Sequence, residues 1–205
     1  RMRPILALAN KLEWVVTLFA SAKIGLILVN INPAYRISEL EHALNQVECK
    51  ALVTACSFKS SDYVSMIKEL APEISEDADK GLNSKRLPHL EHLIAITDQD
   101  IDGFYRFDEI SRELSEESTV LLSEKAHSLN PDDPINIQFT SGTTGLPKGA
   151  TLSHFNILNN AYSVGDAMKF TSKDRLCIPV PLYHCFGMVM GVLCCLTHGA
   201  TMVFP

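Results

Sequence analysis

Three absences limit what this sequence can be. The longest apolar run, Cys185–Leu196, has twelve residues, which is short of the roughly 20 that a membrane-spanning helix needs. Basic residues are not in excess, because 18 Lys and Arg stand against 24 Asp and Glu, for a net charge of −6. No close group of Cys and His has the spacing of a zinc site. These absences argue against a membrane span, a nucleic-acid-binding face and a structural zinc site.

The six cysteines do not indicate a disulfide framework. A chain with 46% hydrophobic residues can build its own core and does not need covalent staples. Cys194 and Cys195 lie inside the apolar run, so we expect them to be buried free thiols. The segment His89–His92 is a weak metal candidate in a charged neighbourhood, and a solvated loop is the favoured interpretation there.

The first third of the chain alternates short apolar runs with amphipathic segments, which predicts βαβ units and a mainly parallel sheet flanked by helices. Capping boxes at Asn10/Glu13 and Ser38/Glu41 predict two helix starts. The spacing of Leu40, Ala43, Leu44 and Val47 predicts the buried face of the second helix. The predicted strands are 5–8, 26–29 and 51–54, and the predicted helices are 10–23, 38–47 and 61–70.

Two polar stretches, 72–88 and 115–134, are predicted to be loops. A strand over 93–97 and a short helix over 108–114 separate them, so residues 1–134 form a first α/β portion. In the second portion, 135–205, we predict strands at 135–139, 150–152, 176–180 and 200–204, and helices at 154–169 and 186–197. The inward-facing residues of helix 154–169 are predicted to be Phe155, Leu158, Tyr162, Gly165 and Met168.

The strongest chemical signal is the glycine-rich segment Thr140–Gly149, which follows a predicted buried strand. Its glycines let the backbone approach an anion closely, and consecutive amide groups in such a turn form an anion-binding nest. Four hydroxyls add donors, and Lys148 adds a positive charge suited to phosphate. The residues predicted to bind the phosphates of ATP are Thr140, Ser141, Gly142, Thr143, Thr144, Gly145, Leu146, Pro147 and Lys148.

Two other interpretations of this loop are weaker. A mobile Gly/Ser/Thr hairpin would have a similar composition. It does not account for the combination of four hydroxyls, three glycines and a lysine directly after a buried strand. A P-loop needs the lysine directly after a glycine and before Ser or Thr. Here Lys148 follows Pro147 and precedes Gly149, so the P-loop pattern fails.

The loop resembles the phosphate-binding motif of the adenylate-forming superfamily, which includes acyl-CoA synthetases, luciferases and the adenylation domains of peptide synthetases. Its pattern Thr-Ser-Gly-Thr/Ser-Thr-Gly-x-Pro-Lys-Gly is matched at every fixed position. Ser153–Asn156, Pro181–Gly187 and Asn32–Tyr35 are also similar to that superfamily. Ile135–Phe139 is most similar to the mitochondrial medium-chain branch of acyl-CoA synthetases.

The resemblance implies a fold and a two-step reaction. The chain is expected to be part of the large N-terminal domain, in which a carboxylate attacks the α-phosphorus of Mg-ATP and releases pyrophosphate. Coenzyme A then displaces AMP to give a thioester. The implied ligands are ATP, Mg²⁺, coenzyme A and a carboxylic acid, and the implied location is the mitochondrial matrix.

The resemblance also places further residues at the site. His184 is expected near the bound carboxylate and adenylate, in a positioning or gating role, while a helix-capping histidine is the alternative. The apolar helix after it is expected to begin the acyl pocket. The pocket residues carried over are Phe186, Gly187, Met188 and Gly191.

Several superfamily elements are missing from the sequence, namely a Tyr-Gly-x-Thr-Glu segment for the metal, a Thr-Gly-Asp segment for the ribose, and the C-terminal domain with its lysine. No metal ligand is therefore assigned within the chain, and the 205 residues alone are predicted to be inactive. The alternatives are a luciferase-like enzyme, a peptide-synthetase adenylation domain, or a truncated product that binds nucleotide without turnover.

Overall fold

The computed structural model describes residues 4–7, 11–75, 79, 81–110, 115–140 and 147–205, with residues 4–7 described by their backbone alone. The strands are β1 Pro4–Ala7, β2 Leu28–Asn30, β3 Ala51–Ala55, β4 Ser57–Phe58, β5 Ser61–Asp62, β6 His92–Ile96, β7 Tyr105–Arg106, β8 Pro134–Thr140, β9 Lys148–Ser153, β10 Arg175–Cys177 and β11 Thr201–Val203. The helices are α1 Leu12–Lys23, α2 Ile37–Gln46, α3 Tyr63–Leu70, α4 Phe107–Ile110, α5 Glu116–His127, α6 His154–Ala167, a π-helix Phe186–Leu193, and α7 Cys194–His198.

The main sheet has the strand order β7-β6-β3-β1-β2-β8-β9. The first six strands in this order run parallel, and β9 runs antiparallel to β8. The predicted α/β fold with a mainly parallel sheet is therefore confirmed. Because parallel strands share one direction, the segments that follow β2, β3 and β8 all leave the sheet at its carboxyl edge, where α/β proteins place their ligands.

Alternate side chains of each strand point to opposite faces of the sheet, and each face carries its own core. Leu52 and Val29 join the core beneath α2 and α3. Their chain neighbours Val53 and Leu28 join the core beneath α1, α6 and the π-helix. The predicted inner face of α2 is confirmed, since its four residues, Leu40, Ala43, Leu44 and Val47, are buried.

Two helices are followed by a glycine in a left-handed conformation. Gly25 follows α1 with a φ of +71°, and Gly199 follows α7 with a φ of +68°, a left-handed conformation that favours glycine. Cys194 and Cys195 are buried free thiols, as predicted. Burial raises the pKa of the Cys195 thiol to about 11. Within the described residues, no helix is both long and apolar enough to cross a bilayer.

The segment 115–134 is not a continuous loop, which corrects the sequence prediction. It contains α5, and the Ser115 hydroxyl accepts a hydrogen bond from the Ser118 amide at 3.0 Å to begin that helix. No residue of α5 is buried. An exposed helix carries no apolar stripe at a 3.6-residue period, so the hydrophobic pattern did not reveal it. In segment 72–88, the described residues include no strand and no α-helix, although Ser84 and Leu87 are buried.

The predicted inner face of α6 is wrong, except at Gly165. The side chains of Phe155, Leu158, Tyr162 and Met168 are about half exposed, whereas Ile157, Ala161 and Gly165 are buried. The reason is close helix packing: a Cβ on Gly165 would lie 2.3 Å from Cε1 of His198 in α7. Ile157, Ala161 and Gly165 therefore face the neighbours of α6, and the four larger predicted residues face outward.

Two helix boundaries also differ from the prediction. Helix α2 begins at Ile37, and the Arg36 amide donates to the Glu39 carboxylate at 2.7 Å, so Ser38 and Glu41 do not form its capping box. Asn10 lies outside the described residues, and α1 begins at Leu12. The predicted apolar helix over 186–197 starts as a π-helix and continues as α7.

Candidate active site

The phosphate loop connects two paired strands at the carboxyl edge of the sheet. Thr140, the last residue of β8, pairs with Lys148, the first residue of β9. The Thr140 hydroxyl also donates to the Lys148 carbonyl at 3.3 Å. Residues 141–146 lie outside the described residues, so the described part of the predicted site is Thr140, Pro147 and Lys148. The side chains of Thr140 and Lys148 are exposed, and Lys148 offers a positive charge to an anion.

His184 lies at the start of the π-helix and caps it. Its Nδ1 accepts a hydrogen bond from the Phe186 amide at 3.2 Å, and its own carbonyl accepts from the Met188 amide at 3.0 Å. In a neutral imidazole whose Nδ1 accepts, the proton is on Nε2. The ring is exposed, so capping through Nδ1 is compatible with Nε2–H donating to a ligand. The capping alternative and the active-site prediction therefore do not exclude each other.

The four residues predicted to begin the acyl pocket have different environments. Phe186 is 51% exposed, whereas Gly187, Met188 and Gly191 are buried. A Cβ on Gly187 would lie 2.4 Å from the Pro181 carbonyl, and one on Gly191 would lie 3.0 Å from the Ile178 side chain. The space beside both glycines is thus filled by the chain itself. The acyl pocket stays a prediction.

Sequence reasoning missed a cavity of about 600 Å³ at the same edge of the sheet. It lies between the segment after β2, the β4–β5 hairpin and the turn before the π-helix. The residues that line it are Asn32, Pro33, Ala34, Arg36, Phe58, Lys59, Ser60, Ser61, Pro179, Pro181 and Tyr183. Tyr183 directly precedes His184 in the chain, so the cavity adjoins the predicted active-site turn.

Two side chains, Arg36 and Lys59, bring positive charge to this cavity. The Arg36 guanidinium contacts the Ser60 and Ser61 hydroxyls at 3.2 and 3.4 Å. The Lys59 ammonium lies 5.3 Å from the centre of the Phe58 ring, within the range of a cation–π contact. Arg36 and Lys59 are far apart in sequence and belong to no motif, so only the fold brings them together.

A tyrosine fixes one wall of the cavity. The Tyr63 hydroxyl, on α3, donates to the Pro33 carbonyl at 2.6 Å. Burial raises the pKa of Tyr63 to about 12, so the phenol keeps its proton and its donor role at any physiological pH. Tyr35, in the same turn, has a raised pKa because of burial, with smaller contributions from Glu39 and Tyr183.

The described residues do not provide a metal site. They include no group of three or more His, Cys, Asp or Glu side chains that could hold a metal ion. Mg²⁺ takes one or two carboxylates from a protein and its other oxygens from water and substrate phosphates. In the part of the chain that the structure describes, Lys148, Arg36 and Lys59 suit the anionic ligands of the predicted reaction, and no metal ligand is assigned.

Comparison with known proteins agrees with this geometry. A profile described as "AMP-binding enzyme" matches residues 3–205. A zebrafish (Danio rerio) protein, "Medium-chain acyl-CoA ligase ACSF2, mitochondrial", is 46% identical over 198 residues, which are 96% of this chain and 32% of that protein. A Bacillus subtilis protein, "Putative acyl-CoA synthetase YngI", is 42% identical over 195 residues, 95% of this chain and 36% of that protein.

Solved structures show the same fold. The anthranilate CoA ligase AuaEII, in complex with anthranoyl-AMP, superposes with a TM-score of 0.77 at 22% identity, covering 100% of this chain and 35% of that chain. ATP-bound MatB from Rhodopseudomonas palustris superposes with a TM-score of 0.68 at 22% identity, covering 100% and 35%. The chain thus spans about a third of the length of the curated relatives that it matches. On its sequence match and its fold, the chain belongs to the AMP-binding enzyme family.

Proposed function

We propose that this chain is the phosphate-binding part of an acyl-CoA synthetase. The observation that carries the proposal is the complete motif Thr140–Gly149, anchored by the β8–β9 pair at the carboxyl edge of a parallel sheet. In the first step, a carboxylate oxygen attacks the α-phosphorus of ATP and the bond to pyrophosphate breaks. Lys148 and the loop donors would stabilise the negative charge on the departing pyrophosphate.

The second step transfers the acyl group to a thiol, and the cationic cavity fits the phosphates of coenzyme A. Arg36 and Lys59 provide positive charge, and Phe58 and Tyr183 provide aromatic surface. The cavity adjoins the His184 turn, so a thiol could reach the adenylate from it. The sulfur attacks the acyl carbon and AMP leaves. The relatives named as acyl-CoA ligases support this thiol acceptor over a luciferase-like enzyme or a peptide-synthetase adenylation domain.

Two finer assignments rest on the relatives. The zebrafish protein is named a medium-chain ligase and mitochondrial, and we extend both properties to the protein that carries this chain. The Bacillus relative shows that similar sequences also exist without a mitochondrion, so location needs its own test. Microscopy of the tagged protein against a mitochondrial marker decides it, and a uniform cytosolic signal contradicts it.

The test of the proposed function uses the full-length protein that carries this chain. Pyrophosphate release is measured with ATP and a series of fatty acids of graded chain length, with and without coenzyme A. We expect carboxylate-dependent release, a maximum at medium chain length, and acyl-CoA only when coenzyme A is present. Nucleotide binding without any pyrophosphate release would instead support the non-catalytic alternative.

A further inference from the structure

A buried polar cluster lies where strands β2 and β8 meet the π-helix that follows His184. It consists of Asn30 on β2, Asn136 and Gln138 on β8, and Met188 in the π-helix. Strands β2 and β8 are parallel neighbours, with Asn30 opposite Gln138. The three amides are 1%, 0% and 6% exposed, and Met188 is fully buried. Three buried amides on two neighbouring strands are unusual, because buried amides cost free energy unless they are hydrogen-bonded.

Two of the three amides contact the methionine sulfur. Asn30 Nδ2 donates to the Met188 sulfur at 3.6 Å, and Gln138 Nε2 donates to the same sulfur at 3.7 Å. Gln138 Nε2 also donates to Asn136 Oδ1 at 2.9 Å, and Asn136 Nδ2 donates to the Leu28 carbonyl at 3.1 Å. Two strands therefore hold one thioether through directional contacts.

Stability alone does not explain this arrangement. A thioether is a weak acceptor, and apolar side chains at these positions would pack without any desolvation cost. Asn30 Oδ1 is buried and has no hydrogen-bond partner within the described residues. A buried polar atom of this kind in a native protein calls for an explanation, and a role at a functional site is one.

The cluster links the two predicted halves of the site. Gln138 lies two residues before Thr140, at the start of the phosphate loop. Met188 lies four residues after His184, and its amide donates to the His184 carbonyl. The helix that follows His184 and contains Met188 is a π-helix, a rare form that is frequent at functional sites. Directional contacts to Met188 fix the rotation of that helix about its own axis. Apolar contacts alone would restrict this rotation less.

We propose that Asn30 and Gln138 are positioning residues: through Met188 they hold His184 in a fixed place relative to Thr140, where β8 ends. The inference rests on the proposed function and names residues that neither the motif nor the cavity includes. Their contribution is alignment of the carboxylate with the α-phosphorus. Misplacement of such groups by about 1 Å lowers rates by up to about a hundredfold.

The first test measures carboxylate-dependent ATP–pyrophosphate exchange in the full-length enzyme. Gln138→Leu removes one donor, and Met188→Leu removes the acceptor while keeping the apolar volume. Each is expected to lower kcat on the order of tenfold, with the KM for ATP unchanged. The Gln138–Met188 contact is common to both variants, so the loss in the double variant should be smaller than the product of the two single losses. The matched control is Ile137→Val, on β8 but in the opposite core, which should leave kcat unchanged.

The second test does not depend on activity. The enzyme is labelled with ¹³C-methyl methionine, and the Met188 signal is assigned by its loss in Met188→Leu. We expect this signal to shift or broaden in Gln138→Leu and to stay in place in Ile137→Val. An unmoved signal, or an unchanged kcat in an active enzyme, overturns the positioning role. If the wild-type enzyme shows no exchange, the proposed function is wrong, and the methionine spectrum still decides whether Gln138 holds Met188.

Discussion

At the scale of single residues, Lys148 is the cation through which the described part of the phosphate loop can act. It is exposed at the start of β9, opposite Thr140. We expect Lys148→Ala to slow carboxylate-dependent ATP–pyrophosphate exchange about a hundredfold, the usual effect of removing one preorganised group that stabilises developing negative charge. The measurement is isotope exchange in the full-length enzyme.

The control for Lys148 is Lys173→Ala, because Lys173 is another exposed lysine of the same portion of the chain and lies outside the loop. It should leave the exchange rate unchanged. If Lys148→Ala and Lys173→Ala have the same exchange rate, Lys148 does not contact the phosphates. The proposed ATP site would then lack its positively charged residue.

Lys59 allows the two half-reactions to be separated. Adenylate formation does not use the thiol, so a residue that binds only coenzyme A should affect only the second step. We expect Lys59→Ala to raise the KM for coenzyme A about tenfold, as for loss of one charge-assisted hydrogen bond, and to leave exchange unchanged. Lys68→Ala, an exposed lysine on α3, is the matched control. A loss of exchange in Lys59→Ala would indicate that the cavity binds the nucleotide and not coenzyme A.

At the scale of elements, the contact of α6 with α7 depends on one glycine. The His198 ring is stacked on Tyr162 at 5.3 Å and its Nδ1 lies 2.9 Å from the Thr197 hydroxyl, so it cannot easily move away from a Cβ at position 165. We expect Gly165→Ala to lower the free energy of unfolding by about 1–3 kcal/mol through overpacking, although alanine has the higher helix propensity.

Urea denaturation of the full-length enzyme checks this prediction. Ser163→Ala, at an exposed position of the same helix, should change the free energy of unfolding by less than about 0.5 kcal/mol. Adding His198→Ala to Gly165→Ala removes the ring that the new methyl meets. If the double variant is not more stable than the additive sum of the single variants predicts, the ring is not the source of the cost.

The helices and strands also show which features of the fold the sequence patterns predict and which they do not. Strand–helix alternation predicted the parallel sheet, and periodicity predicted the inner face of α2, because both depend on local burial. The same reasoning misplaced the face of α6, where close packing of Ala161 and Gly165 excludes larger side chains. It missed α5, whose residues are all unburied. The motif indicated Lys148, but Arg36, Lys59 and the Met188 cluster come together only through long-range strand pairing.

At the scale of the whole molecule, the described residues provide a lysine for phosphate and a cavity with two cations. They include no group of three or more His, Cys, Asp or Glu side chains that could hold a metal ion. The chain also spans about a third of the length of its curated relatives. We therefore expect the 205 residues alone to make no acyl-CoA from ATP, coenzyme A and a medium-chain acid, measured by chromatography of the thioester. The zebrafish relative, assayed in parallel, is the positive control.

A companion measurement on the same purified chain gives the negative result its meaning. Circular dichroism reports whether the 205 residues fold, and titration with ATP reports whether the phosphate loop binds nucleotide by itself. A folded chain that binds ATP but makes no thioester supports a division of labour, with the loop contributed by these residues and the metal ligands contributed by others. Thioester formation by the isolated chain would show that Lys148, His184 and the cavity suffice, and that the carboxylates needed for Mg²⁺ lie within these 205 residues.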